Sequence, residues 1–231
     1  MQKEALDEEE DAAIKSLSFR EIRRADTRRC VEITDSAWPE LELPISIATV
    51  EWYLSSSTWS EIACIGDKTI GLLFGKIDRE LNSFGRMRIH LAHAFVYLKI
   101  LFGFYGRIPD RMNVIRCAMT DDKNIAANTP AVDGEVVFFA VDADYRRQGI
   151  GRALMDRFIE RARTSGARRI SVYTTDPGSD WGFYERYGFT KHSSFKDSFM
   201  SFARKEDVKA LIYLLDIGEP LQEELHLRTQ S

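Results

Sequence analysis

The residues best placed to do chemistry lie in one run, Asp144-Tyr145-Arg146-Arg147-Gln148-Gly149-Ile150-Gly151-Arg152. Glycines at 149 and 151 let the backbone turn tightly, and a helix opening here would aim its free N–H groups, and its dipole, at one spot. Arg146, Arg147 and Arg152 add positive charge to a chain whose net charge is −4. This is the chemistry of anion binding, and a pyrophosphate is the guest that fits. The Walker lysine pattern is missing, as is an acidic residue suited to a ribose after a G-x-G-x-x-G, so mononucleotide and dinucleotide readings lose ground. His90 and His93 stand three apart, but no third ligand accompanies them, and no metal site is assigned.

Such a turn needs a strand before it and a helix after it, and the flanking pattern supplies both. Glu135 to Val141 reads as a strand that is apolar on both faces, as a central strand should be. Ile150 to Thr164 is an amphipathic helix whose stripe is Leu154, Met155, Phe158, Ile159 and Ala162, closed by Ser165-Gly166. Arg169 to Thr174 is the next strand, Asp180 to Tyr187 a short helix stopped by Gly188, and the segments from Phe189 to Ser193 and Ala210 to Asp216 complete the sheet. Upstream, Leu17 to Arg24 alternates as a weak first strand. Asp26 can cap a helix ending before Pro39, a second helix runs from Ser46 to Leu54, and Glu61–Ile65 pairs with Thr69–Ile77 as a hairpin.

Composition narrows the classes. Apolar residues make up 44% and charged residues 29% of 231, which suits a soluble globular chain that needs no staples. Cys30, Cys64 and Cys117 are scattered, with no Cys-x-x-Cys pair, which fits a reducing cytoplasm. The acidic start, Asp7-Glu8-Glu9-Glu10-Asp11, is not a secretory signal, and no stretch has the length of a membrane span. The acidic balance argues against nucleic acid. Residues 1–16 read as an acidic tail, 17–217 as one domain and 218–231 as a second tail.

With those elements in place, the chain resembles the Gcn5-related N-acetyltransferase (GNAT) family. Arg146-x-x-Gly149-x-Gly151 is similar to that family's Arg/Gln-x-x-Gly-x-Gly/Ala signature. Phe183-Tyr184-Glu185-Arg186-Tyr187-Gly188-Phe189 is similar to its Phe-Tyr-x-x-x-Gly-Phe signature. The resemblance spans about Glu135 to Phe189 and implies an α/β (α+β) fold: a mixed, mostly antiparallel sheet flanked by helices, with residues 79–133 inserted between the third and fourth strands. It implies acetyl-CoA as cofactor, and acetyl transfer to a small-molecule or peptide amine by direct attack in a ternary complex. The amides from Arg147 to Arg152, through Gln148, Gly149, Ile150 and Gly151, would cradle the pyrophosphate, with Arg146 beside them. The backbone of Phe139, Ala140 and Val141 would pair with the pantetheine arm, where this strand splays from the one ending at Thr174. The amide near Val141 would polarise the thioester carbonyl. Tyr184 would protonate the departing thiolate, and Glu135 would accept the amine proton. Many members carry an Asn shortly before that Tyr; this chain has Asp176, Ser179 and Asp180, of which Asp180 joins the cofactor-binding set.

Each residue also has a plainer use. Tyr184 can be a packed aromatic beside Trp181, Phe183 and Tyr187, and Glu135 a solvated strand end. A non-catalytic acyl-CoA sensor or partner-binding module, or a flavin or nucleotide binder, could use the same turn. The insertion holds a helix candidate over 87–104 on which Leu91, Phe95, Leu98, Phe102 and Tyr105 form one stripe. A helix apolar nearly all round must be buried, so it is read as a lid over the amine pocket, with a homodimer contact as the runner-up.

Overall fold

The computed structural model describes residues 17–218; the expected tails over 1–16 and 219–231 lie outside the described residues. Seven strands form one sheet in the order β1-β2-β3-β4-β5-β7-β6. They are β1 (Leu17–Glu21), β2 (Trp59–Ile65), β3 (Lys68–Ile77), β4 (Gly134–Val141), β5 (Arg169–Asp176), β6 (Thr190–Asp197) and β7 (Val208–Asp216). Every neighbouring pair is antiparallel except β4 and β5. That is the mixed, mostly antiparallel sheet expected from the sequence.

The helices are α1 (Thr27–Ala37), α2 (Leu43–Ser56), α3 (Ser83–Phe102), α4 (Arg111–Asn128), α5 (Ile150–Thr164), α6 (Trp181–Tyr187) and α7 (Ser198–Arg204). α5 buries Ile150, Leu154, Met155, Phe158, Ile159 and Ala162 against one face of the sheet, the stripe its spacing predicted. α1 and α2 cover the other face, where Cys30, Ile33 and Val50 meet Ile62, Leu72, Phe74 and Phe138. α3 packs on α2, while α4 reaches α7 through a third cluster containing Val96, Ile100, Val114 and Phe199.

Two features of β4 shape everything that follows. Phe74 faces Phe138 while Gly75 faces Val136, so Val137 is an extra residue that bulges from the ladder. The bulge turns Phe138 and Ala140 to the α1/α2 face and Phe139 and Val141 to the α5 face. Parallel pairing with β5 covers Gly134–Val136 alone; beyond Val136 and Val172 the two strands separate.

Several sequence expectations change. β1 stops at Glu21, because the next residues turn into a 3-10 helix whose Asp26 carboxylate accepts from Arg23 N and Arg20. The part of the insertion after Pro109, for which the sequence assigned no element, contains the whole of α4. Its apolar positions Val114, Ile115, Ala118 and Ile125 are helically spaced but diluted by Asp121 and Asp122. α7 was not expected either; the buried Asp197 carboxylate caps it by accepting from Met200 N at 2.7 Å.

The insertion helix is the largest correction. Residues Leu91, Phe95, Leu98 and Phe102 were expected to be buried, yet all four are exposed, Phe95 at 61% and Phe102 at 69%. The buried face is offset around the helix: Val96 and Ile100 are enclosed, and the ring of His93 stacks on Trp52 at 3.6 Å. The physical reason is that apolar residues surround nearly the whole helix, so periodicity could not choose a face. Contact with α2 goes to the β-branched Val96 and Ile100.

Candidate active site

A cavity of about 1000 Å³ passes through the opening between β4 and β5. On the α5 face its walls include Phe139, Val141, Arg146, Arg147, Gly149, Gly151, Arg152, Phe183, Tyr184 and Arg186. On the α1/α2 face they include Trp38, Tyr53, Tyr97, Asp122, Phe138 and Phe199. The separated strands therefore join two chambers, one basic and one apolar with carboxylates.

The basic chamber is built by the turn between β4 and α5. Arg147 (φ 63) and Gly149 (φ 81) are both left-handed, the backbone pattern that turns successive amides toward one concave side. Gly149 caps α5 at the N-terminus, where the first amides lack helical partners. At Gly151 a Cβ would come within 2.9 Å of Phe139 Cζ, so glycine permits the close approach of α5 to β4. Arg146 Nε donates to Val141 O at 2.9 Å, fixing the strand end to the turn. Gln148 is exposed and off the cavity wall, and the Ile150 side chain enters the core, so these two could serve a ligand through their backbone.

Tyr184 lies on the cavity wall, buried to 8% exposure and packed against Phe183, Phe189 and Tyr213. Burial, and then the charge of Asp180, push its phenol well above the ordinary value, so it stays protonated at neutral pH. Asp180 also lines the cavity and pairs with Arg186 at 3.2 Å. Just before Asp180, Ser179 Oγ donates to Thr175 O at 2.8 Å and hydrogen-bonds Thr174 Oγ1.

Glu135 faces the same side as Val137, but it is not on the cavity wall; Lys76 Nζ donates to its carboxylate at 3.1 Å. Burial alone would lower the Lys76 pKa, but the charge and hydrogen bond of Glu135 outweigh it and the net direction is up. The structure thus brings Tyr184 and the phosphate turn to one cavity and leaves Glu135 in an ion pair beside it.

Residues 110–189 match the acetyltransferase (GNAT) family. That span is GNAT-like. The match runs from the start of α4 through the turn and into the Phe183–Phe189 segment. Among solved structures, SsHAT is 16% identical, covering 88% of this chain and 100% of its own, with a TM-score of 0.62. Ard1 from Thermoplasma volcanium is 15% identical over 88% of this chain and 99% of its own, at a TM-score of 0.53. yncA from Salmonella typhimurium, solved with its cofactor acetyl-CoA, is 14% identical over 88% and 95%, at 0.51. At these identities the likeness is one of fold. No curated protein sequence matches the chain.

The cavity also has polar residues that the sequence did not single out. Asp122 accepts from Tyr97 Oη at 3.1 Å, and Asp121 accepts from Ser198 N and Phe199 N at 2.8 and 2.7 Å. Asp121 therefore caps α7, whereas Asp122 opens onto the cavity. Asp122 stays exposed to solvent on one side; partial desolvation by the surrounding walls raises its carboxyl, and the Tyr97 hydroxyl opposes the shift only in part. The available signal was the helical spacing of the apolar residues around two carboxylates in α4. His93 is spent in packing: its Nε2 lies 2.7 Å from Ser56 Oγ, and burial drops its pKa to about 4. No helix among the described residues is long and apolar enough to cross a membrane.

Proposed function

We propose that this GNAT-like chain is an acetyl-CoA-dependent N-acetyltransferase acting on a primary amine by direct attack in a ternary complex. The observation that carries the reading is the cavity through the β4–β5 opening, basic at one end and carboxylate-bearing at the other. The residues present fit the cofactor: a left-handed turn at a helix start, three arginines around it, and a strand edge free of β5 beyond Val136. When bound, acetyl-CoA supplies an activated thioester.

The protein's own tasks follow. Amides of Arg147 to Arg152, with the side chains of Arg146, Arg147 and Arg152, hold the pyrophosphate. The free edge of Phe139 to Val141 orients the pantetheine arm, and an amide near Val141 donates to the carbonyl oxygen as negative charge builds. The Tyr184 hydroxyl gives its proton to the leaving sulfur. An amine near pKa 10 is protonated at neutral pH, so a carboxylate must take its proton before attack, and Glu135 is assigned that role, acting through water. Tyr184's place on the cavity wall beside the phosphate turn supports the acid assignment.

The ion pair between Lys76 and Glu135 is the one observation that favours a second reading, an acyl-CoA-binding module without turnover. Free thiol released from acetyl-CoA on adding amines separates the two. The outward stripe of α3 is assigned to a homodimer seam, checked by mass in solution, and the three free cysteines suit a reducing cytoplasm.

A further inference from the structure

The acceptor chamber has walls that select a guest, and the selection rests on the reading just given. All the arginines on the cavity wall, Arg146, Arg147, Arg152 and Arg186, stand in the cofactor chamber. Among the described residues no lysine or arginine lines the other chamber, whose carboxylates are Asp121 and Asp122. Asp121 is occupied by two backbone amides of α7. Asp122 takes one hydrogen bond among the described residues, from Tyr97, and an ionised carboxylate has room for several more. Around it the walls are Trp38, Tyr53, Ile100, Ile125 and Phe199, with Tyr53 stacked on Phe138 at 5.0 Å.

We infer that the acceptor is a lipophilic primary monoamine without a carboxylate, its ammonium seated on Asp122 and its apolar body among Trp38, Tyr53, Ile100 and Phe199. Each class of competitor meets a physical cost in this chamber. An amino acid would bring its carboxylate toward Asp122 with no cation to receive it. A polyamine would bury its second ammonium against apolar rings. An aromatic or branched-alkyl body, in contrast, gains ~0.8 kcal/mol for each methylene it buries. Tyr97 is the positioning residue: its hydroxyl, carried on α3, fixes the carboxylate carried on α4, so the insertion supplies both halves of the subsite.

The test is thiol release from acetyl-CoA by the full chain with 2-phenylethylamine, phenylalanine or spermidine as acceptor. The expected kcat/KM for 2-phenylethylamine exceeds that for the other two by ~10-fold or more, since each competitor brings a second charge that no side chain of this wall pairs. Asp122→Asn should raise the KM for 2-phenylethylamine ~10-fold or more and leave acetyl-CoA affinity unchanged, with Asp122→Glu recovering part. Tyr97→Phe should raise the same KM less. Equal use of phenylalanine or spermidine, or an unchanged KM in Asp122→Asn, would overturn the inference. Acetylation of phenylalanine, spermidine or a peptide amine but not of 2-phenylethylamine overturns the inference alone, whereas acetyl-CoA binding with no amine acetylated, or no binding at all, removes the proposed function beneath it.

Discussion

The Lys76 ammonium lies 3.1 Å from the Glu135 carboxylate, on the β3–β4 ladder just before the Val137 bulge. Both side chains are about a quarter exposed, so each charge leans on the other. Glu135→Gln should therefore do two things. Turnover should fall at neutral pH and partly recover at high pH, where the amine loses its proton unaided. Stability should fall by about 1 kcal/mol, because Lys76 loses its partner while remaining partly buried. Lys76→Met separates the effects: it should lower stability and leave turnover, measured at matched folded fraction, within a few-fold. Equal loss of turnover in both variants would assign the pair to structure.

Tyr184→Phe should reduce turnover by ~10²-fold or more without weakening acetyl-CoA binding. Its ring keeps its contacts with Phe183, Phe189 and Tyr213, so the melting temperature should hold. A rate within a few-fold of the parent would make Tyr184 a packed aromatic.

For the cradle, Gly149→Val is the cleanest probe. No atom stands within 4 Å of the added Cβ, so the cost is the left-handed backbone, about 1–3 kcal/mol. Acetyl-CoA at 100 times its dissociation constant should stabilise the parent by ~2.7 kcal/mol, or about 5–10 °C at this size. The variant should fold and lose most of that shift. A full shift in Gly149→Val would place the pyrophosphate elsewhere.

How much of this could be read from sequence depended on whether one period governed a segment. α5 was legible because its stripe is apolar on one side and charged on the other, and Gly149 and Gly151 marked where it begins. α3 was legible as a helix but not in orientation, since Leu91, Phe95 and Phe102 compete with Val96 and Ile100 for the same role. α4 was missed because Asp121 and Asp122 interrupt its apolar face, and those carboxylates make sense only against partners distant in sequence, Ser198 and Phe199 for Asp121 and Tyr97 for Asp122. The ion pair holding Glu135 was equally hidden, being a contact between residues 59 apart in the chain.

The outward face of α3 gives a prediction opposite to the one its stripe alone suggested. Phe95→Asp and Phe102→Asp should leave the amine KM unchanged, because both side chains point away from the cavity. If the stripe is a homodimer seam, these variants should turn a dimeric mass in sedimentation into a monomeric one. A monomeric parent would remove the dimer.

His93 sets an acid limit on stability. Its folded pKa of about 4 lies below the ordinary 6.5, so the folded protein binds fewer protons than the unfolded chain between those values. Its contribution is present in full above about pH 6.5 and is lost as pH falls toward 4. The full shift corresponds to about 3 kcal/mol, which partial solvent access trims to about 2. The parent should lose about 4–8 °C more in melting temperature than His93→Phe on going from pH 7 to pH 4. Parallel pH curves would show that the ring protonates without cost.

The proposed function turns on whether the two chambers meet in a reaction, and free thiol released from acetyl-CoA, followed with and without a primary amine, reads this directly. Release that depends on the amine and matches N-acetyl product mole for mole is the expected result. Tight binding of acetyl-CoA with no amine-dependent thiol, across aromatic, alkyl and peptide amines, would contradict transfer and leave a binding module built on a GNAT fold.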